Sequence, residues 1–288
     1  MNTPVPLPLR SAGALWLLGC GQMGGALLER WLGVGLPAAA VVAIDPAPRA
    51  APARTTPRAD LPARGPDPAV VVLAVKPQNL ADVAPPLAAR LAARRPLLVS
   101  MLAGVRLPTL SGLFPGWPLA RIMPNLPARV GRGITAVLAP GLSPAERALL
   151  DWLLGTTGAV VELQDETRFD AVTAVSGSGP AFLCRFIEAL AGAGEAAGLD
   201  AAISRALARE TVLGTAALLT AEGLDPATLR QRVTSPGGTT EAGLDALDGD
   251  GALSALLRAT VRAATERARQ LAHDAAARSP QDTTRIHA

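Results

Sequence analysis

Apolar and polar positions follow two different textures along this 288-residue chain. In the first half, short apolar runs at 14–18, 40–44, 69–75, 97–100 and 119–123 alternate with stretches of helical periodicity, such as the pattern over 80–94. Runs of this length, bounded by Gly, Pro, Asp or Asn, read as strands. The run at 69–75, Ala-Val-Val-Val-Leu-Ala-Val, has no polar position at all, which predicts a central parallel strand buried on both faces. Further strands are expected at 134–138 and 159–161, flanking a helix that starts at Ser143 with Pro144 in its first position. Strand and helix in alternation predict an α/β doubly wound, Rossmann-like domain over residues 12–163. Beyond Glu166 the texture becomes long Ala/Leu-rich helical segments: from 169, 201–221, 226–232, 239–246 and 253–272. They predict an all-α domain over 164–272, with flexible tails at 1–11 and 273–288. Several of these helices are apolar on more than one face, so they pack against another helix layer or another subunit.

Directly between the first strand and the following helix stands Gly19-Cys20-Gly21-Gln22-Met23-Gly24. A G-x-G-x-x-G in that position is a dinucleotide-binding turn, in which glycines admit the pyrophosphate to the backbone and the helix start offers free N–H groups. Asp45 closes the second strand at the spacing where a carboxylate takes the adenosine ribose hydroxyls; the alternative is a polar residue that merely ends a strand. The central strand ends in Lys76-Pro77-Gln78, at the carboxyl edge of the sheet where open α/β folds bind ligands. Lys76 is the only lysine in the chain.

Two interruptions mark the helical half. Ser176-Gly177-Ser178-Gly179-Pro180 breaks a helical pattern where each glycine costs roughly 1 kcal/mol and proline about 3. Either a ligand or neighbouring backbone comes close there, or two helices simply meet. The stretch 234–240, Thr-Ser-Pro-Gly-Gly-Thr-Thr, is the second. Pro236 fixes one backbone angle, Gly237 and Gly238 free the next two, and Thr239 or Thr240 is expected to cap the helix that follows. It is either a plain helix-to-helix turn or a receptor for a small carboxylate or phosphate, with the hydroxyls of Ser235, Thr239 and Thr240 at hand.

Composition narrows the function classes. A hydrophobic content of 49% provides for a buried core. The formal charge of +3 is carried by scattered arginines, with no basic run interleaved with aromatics, so nucleic acid is not the expected partner. No apolar stretch reaches about 18 residues and no leader-like start is present, which predicts a cytoplasmic protein without a membrane span. Cys20 and Cys184 fit neither a disulfide framework nor a metal cluster, and no metal is expected. The chain has no tyrosine, its two histidines are His273 and His287, and the helical half has no lysine. With the usual acids missing, what remains is a dinucleotide site, a carboxylate-binding turn and hydroxyl groups, which suits reduction of an activated C=N bond, where a protonated imine needs orientation more than a strong acid.

Five motifs carry a family resemblance: Gly19-Cys-Gly-Gln-Met-Gly24, Ala74-Val-Lys-Pro-Gln78, Arg121-Ile-Met-Pro-Asn-Leu-Pro127, Asp170-Ala-Val-Thr-Ala-Val-Ser-Gly-Ser-Gly-Pro-Ala181 and Thr234-Ser-Pro-Gly-Gly-Thr-Thr-Glu-Ala-Gly-Leu244. Together, over residues 12–272, they resemble pyrroline-5-carboxylate reductase. The resemblance implies hydride transfer from NADH or NADPH to a cyclic imino acid, giving L-proline, and a helical domain that interlocks two subunits, with higher assembly in some members. It also implies roles. Thr240 would meet the substrate nitrogen, Gly238 and Thr239 (with Ser235 and Gly237) would bind the carboxylate, and Glu166 would be an acid near the substrate. Gly19, Gly21, Gln22, Met23 and Gly24 would hold the pyrophosphate; Ala74, Val75, Lys76, Pro77, Ala103, Gly104 and Asn125 would line the rest of the cofactor site, with Ser176 and Ser178 facing the nicotinamide. Two positions depart from the family pattern: Arg232 stands where asparagine is common, and Asp45 where NADP-preferring members carry small polar residues. A carboxylate at 45 should repel a 2′-phosphate and Arg49 should offset it, which leaves NAD or NADP open; Asp45 predicts that NADH serves at least comparably. The rival readings are a reductase of the same architecture acting on another imine or a hydroxy acid, and a non-catalytic dinucleotide-binding sensor.

Overall fold

A computed structural model describes residues 4–47, 52 and 54–277. Seven strands form one sheet: β1 Leu15–Leu18, β2 Val41–Ile44, β3 Val70–Leu73, β4 Leu97–Ser100, β5 Leu119–Met123, β6 Gly133–Leu138 and β7 Gly158–Glu162. Their order is β2-β1-β3-β4-β5-β6-β7. The first five run parallel; β6 is antiparallel to β5, and β7 is parallel to β6.

Side-chain alternation splits the apolar runs between two faces. Leu15, Leu17, Val70, Val72, Leu97 and Val99 enter one core with Leu27, Leu28 and Trp31 of α1 (Gln22–Gly33) and Leu149, Leu150 and Leu153 of α4 (Pro144–Gly155). Trp16, Leu18, Val71, Leu73 and Leu98 enter the other, with Leu80, Leu87 and Leu91 of α2 (Leu80–Leu91) and Leu110 of α3 (Leu107–Leu113). Each such fully buried side chain contributes about 1.5–3 kcal/mol, so the sheet is held from both sides. The α4 start is a full capping box: Ser143 Oγ accepts from the Glu146 N–H, and Glu146 accepts from the Ser143 N–H at 2.7 Å.

Two expectations on element ends change. The helical pattern over 80–94 stops at Leu91, where the Arg94 and Arg95 N–H groups both turn back to the Leu91 carbonyl. Pro96 forbids helical backbone at Arg95, which adopts φ 47°. Residues 4–11, expected in a flexible tail, are anchored instead: Leu7–Arg10 forms a 3-10 turn whose Leu9 is fully buried against the sheet core.

Contacts divide the chain into two units, Met1–Ser178 with Ala264–Ala288, and Gly179–Ala263. The second unit contains α6 (Gly179–Ala196), α7 (Ala201–Glu222), α8 (Pro226–Arg232), α9 (Thr239–Asp248) and the first half of α10 (Ala252–Ala277), which runs past His273, where fraying was expected. Helices α6 and α7 meet through small residues. A Cβ on Gly194 would lie 2.2 Å from Ser204 Oγ, which itself donates to the Ala191 carbonyl at 2.5 Å. Its buried interior is thin: Ala191, Ala208 and Leu229 are its buried hydrophobics among the described residues. Meanwhile Leu183, Phe186, Leu190, Ile203, Leu207 and Leu213 are all exposed on the single chain. No described helix is long and apolar enough to cross a membrane.

Candidate active site

The strand order reverses at β1, from which the chain moves first to β2 on one side and then to β3 on the other. At such a switch point the loops after neighbouring strands diverge and leave a crevice at the carboxyl edge. Here the crevice measures about 510 Å³ and is lined by Gly19, Gly21 and Gln22 after β1, Asp45 to Ala47 after β2, and Ala74, Val75, Lys76, Gln78 and Asn79 after β3. The glycines explain the shape. Gly19 holds φ 101°, and a Cβ there would lie 2.5 Å from the Ala74 carbonyl oxygen; one on Gly24 would lie 2.1 Å from the Gly19 carbonyl oxygen. Gly21 has nothing within 4 Å of its missing Cβ, so the backbone lies open toward the crevice. This cradle fits the pyrophosphate of a dinucleotide, with Gly21 at the N-cap of α1 and no side chain occupying the cap.

Asp45 is engaged with that turn. Its Oδ2 accepts the Cys20 N–H at 2.6 Å and its Oδ1 accepts the Ala47 N–H at 2.8 Å. Beneath the turn Cys20 is fully buried; burial and, after it, the Asp45 charge push its thiol up to about 11, so it stays protonated. Lys76 is exposed, forms no ion pair with a described residue, and its carbonyl accepts the Asn79 N–H in the Pro77–Asn79 turn. Met23 packs against the sheet core rather than lining the crevice. Arg49 lies outside the described residues.

Ala103, Gly104 and Asn125 follow β4 and β5 on the same sheet edge but do not line the crevice. Ala103 packs with Met123, Ala136 and Phe169; Gly104, at φ 79°, abuts Ala272, whose Cα would lie 2.5 Å from an added Cβ. Asn125 Oδ1 accepts the Ile134 N–H at 2.9 Å.

Glu166 is committed elsewhere. Its Oε1 accepts from Arg121 Nη1 at 2.8 Å and from the Leu107 N–H, the first of α3, at 2.7 Å. Arg121 is 3% exposed, with its guanidinium carbon 4.2 Å from the Phe169 ring centre and its Nε without a partner. Burial pushes the Arg121 pKa down, and the Glu166 bond pushes it back up. This ion pair, formed by a predicted site residue, is what sequence reasoning missed. Its signal was present: an arginine inside the apolar strand Leu119–Met123 cannot be buried alone.

The interruption at 176–180 resolves into a π-helical turn, Thr173–Gly177, between α5 (Phe169–Val172) and α6. The Ser178 N–H reaches the Thr173 carbonyl at 2.9 Å, five residues back, and Ser176 Oγ donates to the Val172 carbonyl at 3.0 Å. One residue is thereby inserted into a continuous helix, a device that recurs at functional sites.

The 234–240 turn belongs to the helical unit. Gly237 adopts φ 70°, and its N–H donates to Glu241 Oε2 at 2.7 Å; the Gly238 N–H donates to the Ser235 carbonyl at 3.0 Å. The expected threonine cap is absent. Gly238 holds the N-cap position and Thr239 is already helical, so neither Thr239 nor Thr240 can fold its oxygen back over the helix start. The Thr240 side chain is exposed. Arg232, the second departure, pairs with Glu222 at 2.9 Å.

A larger cavity of about 640 Å³ lies elsewhere on the sheet unit, beside Arg30, Asp151, Trp152 and Thr156. Its charged groups are already paired: Arg30 Nε donates to the Thr156 carbonyl, and Asp151 binds Arg147. The glycine turn and the switch-point geometry belong to the smaller crevice.

Comparison with known proteins identifies the family. Residues 166–271 match the family model for pyrroline-5-carboxylate reductase dimerisation, and residues 15–104 match that for NADP oxidoreductase, coenzyme F420-dependent. The pyrroline-5-carboxylate reductase of Synechocystis is 47% identical over 203 residues, 70% of this chain and 74% of the relative. That of Pseudomonas aeruginosa is 37% identical over 265 residues, 88% of this chain and 95% of the relative. Among solved structures, the Coxiella burnetii enzyme superposes with a TM-score of 0.80 at 27% identity, covering 91% of this chain and 99% of that one. The Plasmodium falciparum enzyme, solved with NADP bound, gives 0.78 at 25% identity, covering 92% and 99%. With its glycine turn, its sheet and its helical segment all matched along nearly the whole length, the chain belongs to the pyrroline-5-carboxylate reductase family.

Proposed function

We propose that this protein reduces L-1-pyrroline-5-carboxylate to L-proline with NAD(P)H, the last step of proline biosynthesis, as a cytoplasmic homodimer. The observation that carries the reading is the crevice at the β1/β3 switch point, open at Gly21 and closed below by Gly19 and Gly24. A nicotinamide held there would supply a hydride to C5 of the protonated ring imine, whose C=N electron pair would move to nitrogen to leave a secondary amine.

The protein's own part is binding and orientation. The start of α9, and the Gly237 N–H once Glu241 releases it, would offer N–H donors to the substrate carboxylate, with Gly238 shaping the turn. The Thr240 hydroxyl follows the ring nitrogen from imine to amine, because a hydroxyl both donates and accepts. Ser176 and Ser178, at the π-helical turn, are assigned to the nicotinamide side. Glu166, held through Oε1 by Arg121 and the Leu107 N–H, is assigned as the acid on the substrate side. Residues 12–163 are proposed as the dinucleotide-binding domain and 164–272 as the substrate and dimerisation domain. The exposed apolar side chains of α6 and α7 support the dimer.

The test is turnover. Purified protein mixed with pyrroline-5-carboxylate and NADH or NADPH should consume the reduced cofactor and accumulate proline one for one. Cofactor binding with no proline formed would instead favour the sensor reading.

A further inference from the structure

The carboxylate that follows β2 is held in place by backbone amides. Asp45 Oδ2 accepts the Cys20 N–H and Oδ1 the Ala47 N–H, while its own N–H donates to the Arg58 carbonyl at 2.8 Å. Rotating the side chain aside would break at least one charge-assisted hydrogen bond and leave the Cys20 amide, in the middle of the glycine turn, without a partner. Each oxygen keeps a further lone pair, and the residue lines the crevice, so Asp45 can still accept hydroxyl donors. A 2′-phosphate has no such donor to spare and carries close to two negative charges.

Among the described residues little compensates the Asp45 charge; Arg49, expected to offset it, lies outside them. Lys76 is the one cation among the described lining residues, and it follows β3, across β1 from the end of β2. Two strand spacings separate those positions, roughly 10 Å. Arg58 pairs with Ile44, one residue before Asp45, and strand alternation sends its side chain to the opposite face.

We propose that Asp45 does two things at once: it selects NADH by rejecting a 2′-phosphate, and it braces the Gly19–Gly21 turn in the shape that receives the pyrophosphate. The inference rests on the crevice being the dinucleotide site. It goes beyond that reading in one respect: selectivity and turn geometry share a side chain, so removing the carboxylate does not convert the protein into an NADPH enzyme.

Binding, measured without substrate, tests this. Dissociation constants for NADH and NADPH are read from nicotinamide fluorescence for the wild type, Asp45→Ser and Asp45→Asn, with amide hydrogen exchange at Cys20 and Ala47 as a second readout. The wild type should bind NADH about tenfold or more tightly than NADPH. Asp45→Ser should weaken NADH by about tenfold, improve NADPH by less than about threefold, and speed exchange at both amides. Asp45→Asn keeps one acceptor oxygen and should fall between; it also reads the ratio if the serine variant does not fold. Equal or tighter NADPH binding by the wild type overturns the proposal, as does an Asp45→Ser variant that binds NADPH as tightly as the wild type binds NADH. Binding of neither cofactor overturns it together with the site itself. Discrimination without proline formation supports it while removing the proposed reaction.

Discussion

The two units of this chain are stabilised in different ways. In the sheet unit, strands β1, β3 and β4 are buried along their whole length and helices close both faces. In the helical unit, Phe186 is 43% exposed and Leu207 54%, while the buried positions are mostly alanines. Apolar area on this scale, left open by one chain, belongs against a second surface. The sheet unit therefore carries its own stability, and the helical unit borrows much of its own from a partner subunit.

The strongest way to break that contrast is to remove the partner. Leu207→Glu places a charge on the exposed apolar face and should convert the dimer to monomer, seen by sedimentation. Hydrogen exchange should then lose protection across α6 and α7 by several kcal/mol while the sheet keeps its own. If both units lose protection equally, they fold as one and the contrast is wrong.

Inside the sheet unit the largest single effect should come from Arg121→Met, which leaves Glu166 without its buried counter-charge. Removing one member of such a pair costs about 3–5 kcal/mol, and Glu166, 18% exposed, recovers part of this through solvent. Thermal or urea unfolding measures it, and Glu166→Gln, which keeps an acceptor for the Leu107 N–H, should cost less. Equal losses would place the stabilisation in the helix cap instead.

Next comes Gly24→Ala, whose added methyl meets the Gly19 carbonyl at 2.1 Å. Overpacking of this kind costs about 1–3 kcal/mol, and here it should also displace the pyrophosphate turn. The cofactor Kd should rise while the dimer persists; unchanged cofactor binding would show that the turn does not hold the pyrophosphate.

Smallest in energy is Thr240→Ala in the helical unit. Loss of one hydrogen bond to the ring nitrogen, about 0.5–1.5 kcal/mol, should lower kcat/KM by up to roughly tenfold, with Thr240→Ser restoring most of it. Normal turnover by the alanine variant would move the nitrogen's partner to Ser176, Ser178 or a bound water.

The sheet unit was the more legible of the two for the same reason that it is the more self-sufficient. Runs such as Val70–Leu73 are apolar because both faces are covered, and a pattern that strong survives without tertiary information. The glycine turn was legible because Gly19 and Gly24 are required by backbone atoms a few ångströms away. What escaped depended on residues far apart in sequence. Nothing near Glu166 in the sequence shows Arg121, 45 positions away, as its partner. The threonine cap failed by one residue: Gly238 took the N-cap, and local propensity does not decide such a shift. Asp45 lines the crevice, but its bond to Cys20 is a matter of geometry that spacing cannot supply.

The Gly237–Glu241 hydrogen bond gives the helical unit's turn a resident anion. Under the proposed assignment, a carboxylate arriving there would trade places with one that is already seated, so the charge at the turn would be the same before and after. The grip it gained would be the difference between two similar bonds, with Glu241 returning to water. Such a turn would hold its visitor lightly, which would suit a substrate and product that present the same carboxylate and differ only at the far side of the ring.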